Sequence, residues 1–438
     1  MKKTNLWIKL IAAVLVVCTA TILFAGCNNK ANTVVMSFEK DGKTYTINEQ
    51  EFDMLMKIRK RIFFCNLLYT TSKDTASFWS TKSGEDETKT NEQYYKDLVM
   101  DQVKAVLVEK YLFETVLDAD GKNLSISQDT LDGFKTSIKT DEKNQGGKGA
   151  YKQYYGFTAK ANYEIYEPMV ERSEMLYKTL CADGAALAAA AEDLKAYYEE
   201  HFVGYQYIMI DLKNKVVTDE NGNRVVATTT NSSGEEEPTD AYKTEKLDST
   251  KEEDKKLLEE KQNLAASILK ELTNEENPLS FEEAIAKYSD DYISVEFSDG
   301  WFLDKEATLV NSTVTDKVKD LEVGELFSEV ITSGDYHYIV KRVALKANVY
   351  EKYEMDENGN VIKDENDKEV ENKYFEYFSE FENTVEYDKY EKYVESFFGE
   401  IKVETSITDS YTMQNTFLSP YVDYYYEMIL YYYYGIQI

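Results

Sequence analysis

The hydrophobic positions of this chain change period along its length, and these changes predict where helices and strands lie. In the first half, apolar side chains recur every three to four positions, as on one face of a helix. Two β-rich runs flank Lys40-Asp-Gly and predict a hairpin over 33–47. The helical spacing then predicts helices over 48–68, 92–117, 127–138, 160–180 and 185–201.

A second pattern dominates Leu279 to Leu345, where short helices and β-rich runs alternate. Ser280 and Glu283 form a capping-box pattern that begins a helix. A strand-like run follows at Gly300-Trp-Phe, and Gly324 ends another short helix. This region therefore predicts a small mixed module rather than a continuation of the helical half.

The same module extends toward the N-terminus by one strand and one helix. A strand is predicted over 203–212, and an amphipathic helix over 252–273. Between them lies an insertion over 213–250, in which residues 228–239 are rich in Ser, Thr and Glu. This composition predicts disorder. The turn and β-rich run over 331–340 predict the closing strand.

Two features follow the module. Aromatic and aliphatic residues at helical spacing predict a late helix over 373–398, whose apolar face needs a packing partner. The end of the chain, 420–438, is tyrosine-rich and too polar for a membrane span. It could be an interfacial or wall-binding tail, a frayed terminus or an edge strand, and the sequence does not separate these alternatives.

The first 27 residues have the pattern of an export signal. Lysines precede an apolar stretch over 10–24 that is too short for a comfortable membrane span. Phe24-Ala-Gly-Cys27 resembles a bacterial lipobox, which implies lipidation of Cys27 and attachment to the membrane. The alternative is an uncleaved N-terminal anchor. Both interpretations predict that the rest of the chain lies outside the cytoplasm.

Charge and composition narrow the classes of function. The formal net charge of −31 argues against nucleic acid as a partner. The chain has 2 histidines and no cysteine–histidine cluster, so neither a metal site nor a cofactor is predicted. Cys65 and Cys181 could pair, but their spacing does not establish a disulfide. The expected partners are unfolded or newly exported polypeptides, with a homodimer as an open alternative.

Four short motifs in the module resemble the parvulin (rotamase) family of peptidyl-prolyl isomerases. They are Ala-Lys-Tyr-Ser-Asp-Asp at 286–291, Gly-Trp-Phe at 300–302, Val-Gly-Glu at 323–325 and Gly-Asp-Tyr-His-Tyr-Ile at 334–339. Their order and spacing cover 203–346, about a third of the chain. The helical flanks are similar to those of lipid-anchored extracytoplasmic foldases.

The resemblance implies a site of two histidines, an acidic or cysteine residue and an apolar socket for proline. His337 matches the second histidine, and Asp291 matches the acidic position. Tyr207 stands where the first histidine is expected. These three residues are the candidate catalytic groups. The pairing of a histidine with a tyrosine departs from the family pattern.

The socket positions are less closely matched. Leu309 or Val310 falls near the position of the usual Met or Leu, and Val314 falls where a phenylalanine is expected. Phe302 is assigned with them to substrate binding. A valine at position 314 makes the proline socket smaller.

The predicted class is α+β: a helical, chaperone-like domain from N- and C-terminal segments flanks a parvulin-like module with a four-stranded antiparallel sheet. The predicted segments are a signal peptide over 1–27, a helical domain over 28–202, an isomerase-like domain over 203–346, and a C-terminal region over 347–438 whose late helix returns to the helical domain.

Two functions fit this pattern. The first is a membrane-anchored foldase that catalyses peptidyl-prolyl cis–trans isomerisation in secreted proteins. The second is a chaperone that holds unfolded segments and uses an inactive parvulin fold as a scaffold. His337 and Asp291 favour the enzyme, whereas Tyr207 and Val314 favour the chaperone. A third alternative is a wall- or glycan-binding lipoprotein that uses its tyrosine-rich tail.

Overall fold

The computed structural model describes residues 30–67, 74–231, 233–274, 276, 279–305, 312–356 and 358–419. The predicted signal with Cys27, the socket residues Leu309 and Val310, the side chain of Cys65 and the tail 420–438 lie outside the described residues. In the part of the chain that is described, no helix combines the length and apolar character needed to cross a bilayer.

The described residues divide into two compact units. One contains those of Met1–Ala188 and Glu386–Ile438, and the other those of Ala189–Val385. Both contain helices together with small antiparallel sheets, so the predicted α+β class is confirmed.

The strands are β1 (Val34–Lys40), β2 (Lys43–Asn48), β3 (Phe202–Asp211), β4 (Asn214–Val216), β5 (Val226–Thr230), β6 (Glu236–Tyr242), β7 (Thr244–Lys246), β8 (Trp301–Asp304), β9 (Ile331–Ser333), β10 (Tyr336–Val343) and β11 (Ile401–Val403). The helices are α1 (Glu49–Leu67), α2 (Ala76–Ser80), α3 (Asn91–Thr115), α4 (Gln128–Asn144), α5 (Lys148–Tyr155), α6 (Ala159–Ala161), α7 (Glu167–Leu180), α8 (Ala191–His201), α9 (Glu252–Leu272), α10 (Phe281–Tyr288), α11 (Tyr292–Glu296), α12 (Ser312–Val318), α13 (Phe375–Phe378), α14 (Phe381–Glu395) and α15 (Thr405–Thr408).

The first unit is built around the predicted N-terminal hairpin. Asp41 and Gly42 both have positive φ, 51° and 76°, as the tight turn between β1 and β2 requires. The C-terminal strand β11 pairs with the other edge of β1, with Met36 opposite Val403. The resulting three-stranded sheet therefore joins the two ends of the described chain.

Helix α3 forms the centre of this unit because apolar residues lie on more than one of its faces. Val99 and Val103 pack in the cluster that also holds the hairpin residues. Val108 and Leu112, further along, pack in a second cluster with Tyr390 of α14. Cys181 is a buried free thiol in that second cluster.

Two predicted helices of this half differ from the structure: one is interrupted and the other begins later. The prediction over 160–180 resolves into α6, a π-helical turn over Asn162–Tyr166 and α7. Pro168 lies at the start of α7 and has no N–H to donate to the preceding turn, which accounts for the break. The prediction over 185–201 is wrong at its start, because α8 begins only at Ala191. Alanine propensity is a weak preference that local contacts override.

The second unit contains a four-stranded antiparallel sheet in the order β8-β3-β10-β9. Its central pair is in register from Tyr336 opposite Asp211 to Val343 opposite Gly204. One face packs with α12, and the other packs with α9 and α10. Successive residues of a strand point to opposite faces, so the register decides which side chains meet.

The insertion differs from its prediction of disorder. Strands β5 and β6 form a hairpin, in which Thr228 pairs with Pro238 and Thr230 with Glu236. Asn231 begins the turn, and its side-chain oxygen accepts hydrogen bonds from the backbone of Ser233 and Glu235. Threonine is favourable in a strand that is exposed on both faces, but composition alone does not show that such a segment pairs with another strand. The late helix is likewise divided, into α13 and α14.

Candidate functional site

One face of the four-stranded sheet brings the predicted site residues Tyr207 and Asp291 together. The Tyr207 hydroxyl donates a hydrogen bond of 2.7 Å to Oδ2 of Asp291, although 84 positions separate the two residues in the sequence. The same oxygen of Asp291 accepts the backbone N–H of Ser294 at 2.7 Å and thereby caps α11. The carboxylate is therefore fixed by a helix terminus and a strand at once.

The loop that carries Asp291 is attached directly to β3. Asp290 donates its N–H to the carbonyl of Met209 and accepts the N–H of Asp211 at its carboxylate. Lys261 lies almost wholly buried, 2.6 Å from Asp290, and also donates to the carbonyl of Asp211. These contacts set the position of the following residue, Asp291, relative to the strand.

Tyr338 lies on the same face of the sheet as Tyr207. It is opposite Met209 in the register, while Tyr207 is opposite Val340. All four residues face the cluster that includes Val314 of α12. Tyr338 is not among the residues predicted from the sequence; the alternation of strand residues places it on this face only once the pairing of Val340 with Tyr207 is known.

Burial keeps both tyrosines neutral. It raises the pKa of Tyr207 well above its ordinary value, and the neighbouring Asp291 carboxylate raises it further. Burial also raises the pKa of Tyr338, with smaller contributions from Tyr336 and Asp291. Protonated tyrosines do not act as bases near neutral pH, and the one hydroxyl proton of Tyr207 is donated to Asp291.

His337 lies on the opposite face of the sheet. It is opposite Ile210 and Thr332 in the register, so the structure does not bring it together with Tyr207 or Asp291. The ring is half-buried, and desolvation lowers its pKa. Its Nδ1 atom is buried without a hydrogen-bond partner among the described residues. Successive residues of a strand point to opposite faces, so His337 and its neighbour Tyr338 lie on different sides of the sheet.

The socket residues are separated as well. Val314 is fully buried in the cluster of Tyr207 and Tyr338. Phe302 is also buried, but it packs in a different cluster with Tyr374, 5.2 Å between ring centroids. The other predicted socket positions lie outside the described residues. Nor do the described histidine, cysteine and acidic residues form a cluster of three or more that could bind a metal ion.

Comparisons with known proteins add a likeness at low identity. No protein-family model and no curated protein matches the chain. Among solved structures, it is similar to the foldase protein PrsA from Streptococcus pneumoniae strain Canada MDR_19A, with 14% identity, a TM-score of 0.22, and coverage of 85% of this chain and 97% of that one. It is also similar to PrsA from Bacillus subtilis, with 14% identity, a TM-score of 0.18, and coverage of 73% and 89%.

Proposed function

We propose that this protein is an extracytoplasmic foldase that isomerises peptidyl-prolyl bonds on the sheet face formed by Tyr207, Asp291 and Tyr338. The observation that supports the proposal is the hydrogen bond between Tyr207 and Asp291. The sequence resemblance assigned both residues to one site although they are far apart in the chain, and they meet at 2.7 Å.

The chemistry requires little from the protein. Rotation about an X-Pro bond crosses a barrier of about 18–20 kcal/mol because amide resonance must be broken. In the twisted state the prolyl nitrogen regains its lone pair, so a donor directed at it stabilises that state more than the planar one. In the proposal Tyr338 supplies this donor, and the Tyr207–Asp291 pair forms the rigid polar wall beside it. No cofactor takes part.

A panel of X-Pro peptides tests the proposal by measuring isomerisation with exchange NMR. Tyr338→Phe and Asp291→Asn should each lower kcat/KM by about tenfold to a hundredfold, which corresponds to the loss of about 1.4–2.7 kcal/mol of hydrogen bonding in the transition state. His337→Ala is the matched control on the same two strands, and it should leave kcat/KM unchanged because that ring lies on the other face. Activity that depends on His337 alone would contradict this assignment.

The burial of Val314 favours a second candidate function. This side chain is fully buried in the cluster that holds Tyr207, so Val314 itself offers no exposed surface to a proline ring. A chaperone that holds unfolded segments does not need a proline socket on this face of the sheet. Suppression of client aggregation by a protein without isomerase activity, in the wild type and in Asp291→Asn equally, would establish this second function instead.

We further propose attachment to the membrane through a lipid on Cys27. The support is the lipobox-like Phe24-Ala-Gly-Cys27 after a short apolar stretch. Expression in a bacterial host with a labelled fatty acid should label the wild type and leave Cys27→Ser unlabelled. Equal labelling of both chains would contradict the anchor.

A further inference from the structure

A second polar pair lies on the sheet face that carries Tyr207 and Tyr338. Tyr205 precedes Tyr207 by two positions on β3 and packs in the same cluster. Arg342 of β10 is opposite Tyr205 in the register, and its guanidinium carbon lies 5.0 Å from the centroid of the tyrosine ring. The face therefore carries a cation beside the proposed reaction site.

The polar atoms of this pair lack hydrogen-bond partners. Tyr205 is 1% exposed, and its hydroxyl is buried without a partner among the described residues. Nε and Nη1 of Arg342 are buried and unpartnered in the same part of the chain. The contact with the tyrosine ring offsets part of the buried charge, but a guanidinium group has five N–H donors that need acceptors. Buried donors without acceptors are costly and rare in folded proteins.

Within the described ranges, no carboxylate of the protein itself satisfies the two buried nitrogens of Arg342. Lys261 of α9 is also buried, but it pairs with Asp290 at 2.6 Å and donates to a backbone carbonyl. Burial raises the pKa of Tyr205, the charge of Arg342 opposes this effect, and the exposed Asp320 adds to it. Asp320 therefore lies within electrostatic reach of the pair, yet it leaves both nitrogens unpartnered.

We propose that Arg342 and Tyr205 form a subsite for a carboxylate group of the polypeptide that binds on this face. The N–H groups of a guanidinium match the two oxygens of a carboxylate, and the Tyr205 hydroxyl supplies a further donor beside them. Arg342 as a whole is half-buried, which leaves part of its side chain open to solvent. The inference rests on the proposed function, because it names the class of substrate: X-Pro segments with an acidic residue near the proline.

The two strands set the distance between this subsite and the prolyl bond. Residues advance by about 3.3–3.4 Å along a strand, so Tyr205 is roughly 7 Å from Tyr207, and Arg342 is roughly 13 Å from Tyr338, along the strand axes. An extended peptide that follows the strands spans these distances with about two to four residues. The acidic residue should therefore stand about two to four positions from the proline.

Binding of labelled, amidated X-Pro peptides to the full chain tests the subsite by fluorescence anisotropy. Each peptide carries a single Glu or a single Gln, and its position is scanned over both sides of the proline. At one or two neighbouring spacings the wild type should bind the Glu peptide about tenfold more tightly than the Gln peptide. At the other spacings Glu should bring no gain, because a protein with a net charge of −31 repels acidic peptides in general.

The same chemical group could also come from the end of a chain. A neutral peptide is therefore compared with a free and with an amidated C-terminus. A preference for the free acid, in place of one for an internal Glu, would support the carboxylate subsite and assign its ligand to chain ends.

Two variants locate the preference on the sheet. Arg342→Gln should bring the ratio of the two affinities to about one, and this ratio is measured within one protein, so it does not depend on the fraction that folds. Lys341→Gln is the matched control, because it removes the same charge from the other face of β10, where Lys341 lies over the ring of Phe281. It should preserve the preference.

Equal binding of every Glu and Gln pair and of the free and amidated peptides by the wild type, or a preference that persists in Arg342→Gln, would overturn the proposal. Isomerisation of the same peptides is measured separately by exchange NMR. A preference without isomerisation would refute the enzyme and retain the subsite, whereas isomerisation without any preference would refute the subsite alone.

Discussion

A buried carboxyl group in the first unit offers a quantitative test of the packing. Glu109 lies on α3, and its Oε1 atom accepts hydrogen bonds from Ser173 at 2.7 Å and from the Tyr390 hydroxyl at 2.8 Å. Burial raises the pKa of Glu109, while Ser173, Tyr390 and the charge of Arg172 oppose this effect. The hydroxyl of Tyr390 thus links the C-terminal helix α14 to the central helix α3.

Tyr390→Phe removes this link without changing the aromatic ring. A hydrogen bond to a charged group contributes about 1.5–3 kcal/mol, against about 0.5–1.5 kcal/mol between neutral groups. On the alkaline side of the Glu109 titration, where the carboxylate is ionised, we expect the variant to lose about 2 kcal/mol of unfolding free energy. In a Glu109→Gln background the same change should cost about 1 kcal/mol, which gives a coupling energy of about 1 kcal/mol.

The pH dependence follows from the direction of the pKa shift. Because the pKa of Glu109 in the folded protein is above its ordinary value of 4.5, the folded state binds more protons than the unfolded state between these two values. Stability therefore falls as the pH rises through that interval. Glu109→Gln should remove this contribution, and the coupling to Tyr390 should decrease at acidic pH, where the carboxyl group is neutral.

Denaturant-dependent hydrogen exchange of α3 is the suitable assay, because a chain with two compact units need not unfold in one step. Tyr393→Phe is the matched control on the same helix, since Tyr393 is not a donor to Glu109, and it should change stability by less than about 0.5 kcal/mol. A coupling energy that is near zero, or that is the same at acidic and alkaline pH, would refute the charge-assisted bond.

Two further outcomes are expected in the second unit. Gly300→Ala should destabilise this unit by about 2–4 kcal/mol, because φ is +143° and a Cβ would lie 3.1 Å from both Phe302 and Val343. Gly324→Ala should cost only about 1 kcal/mol, because φ is +92° but no atom lies within 4 Å of the added Cβ. Equal losses of stability in the two variants, measured by thermal unfolding, would disprove the steric contribution at Gly300. Burial alone would raise the pKa of Asp299, but Tyr374, Lys373 and Lys346 lower it to about 2. The contribution of Asp299 to the free energy of unfolding is therefore complete above its ordinary pKa of 3.8 and is lost as the pH falls toward 2. The stability difference between the wild type and Asp299→Asn should decrease over that range. A constant difference from pH 5 to pH 2 would contradict this.

Local signals in the sequence were sufficient to predict most of the helices and strands. The hairpin at Lys40-Asp-Gly and the capping box at Ser280 were predicted correctly, because each depends on residues within a few positions of one another. The interruption at Pro168 was equally local and was missed only because the apolar spacing continues across it. The ordered hairpin in the insertion needed pairing between strands, which composition does not reveal.

The site shows most clearly what the sequence determined and what it did not. The sequence resemblance predicted Tyr207 and Asp291 as members of one site, and the structure brings the two side chains within hydrogen-bond distance of each other. It also selected His337, but the register of β3 and β10 turns that residue to the opposite face and presents Tyr338 beside Tyr207. A strand has a period of two, so a displacement by one residue exchanges the faces, and only the tertiary pairing decides between them.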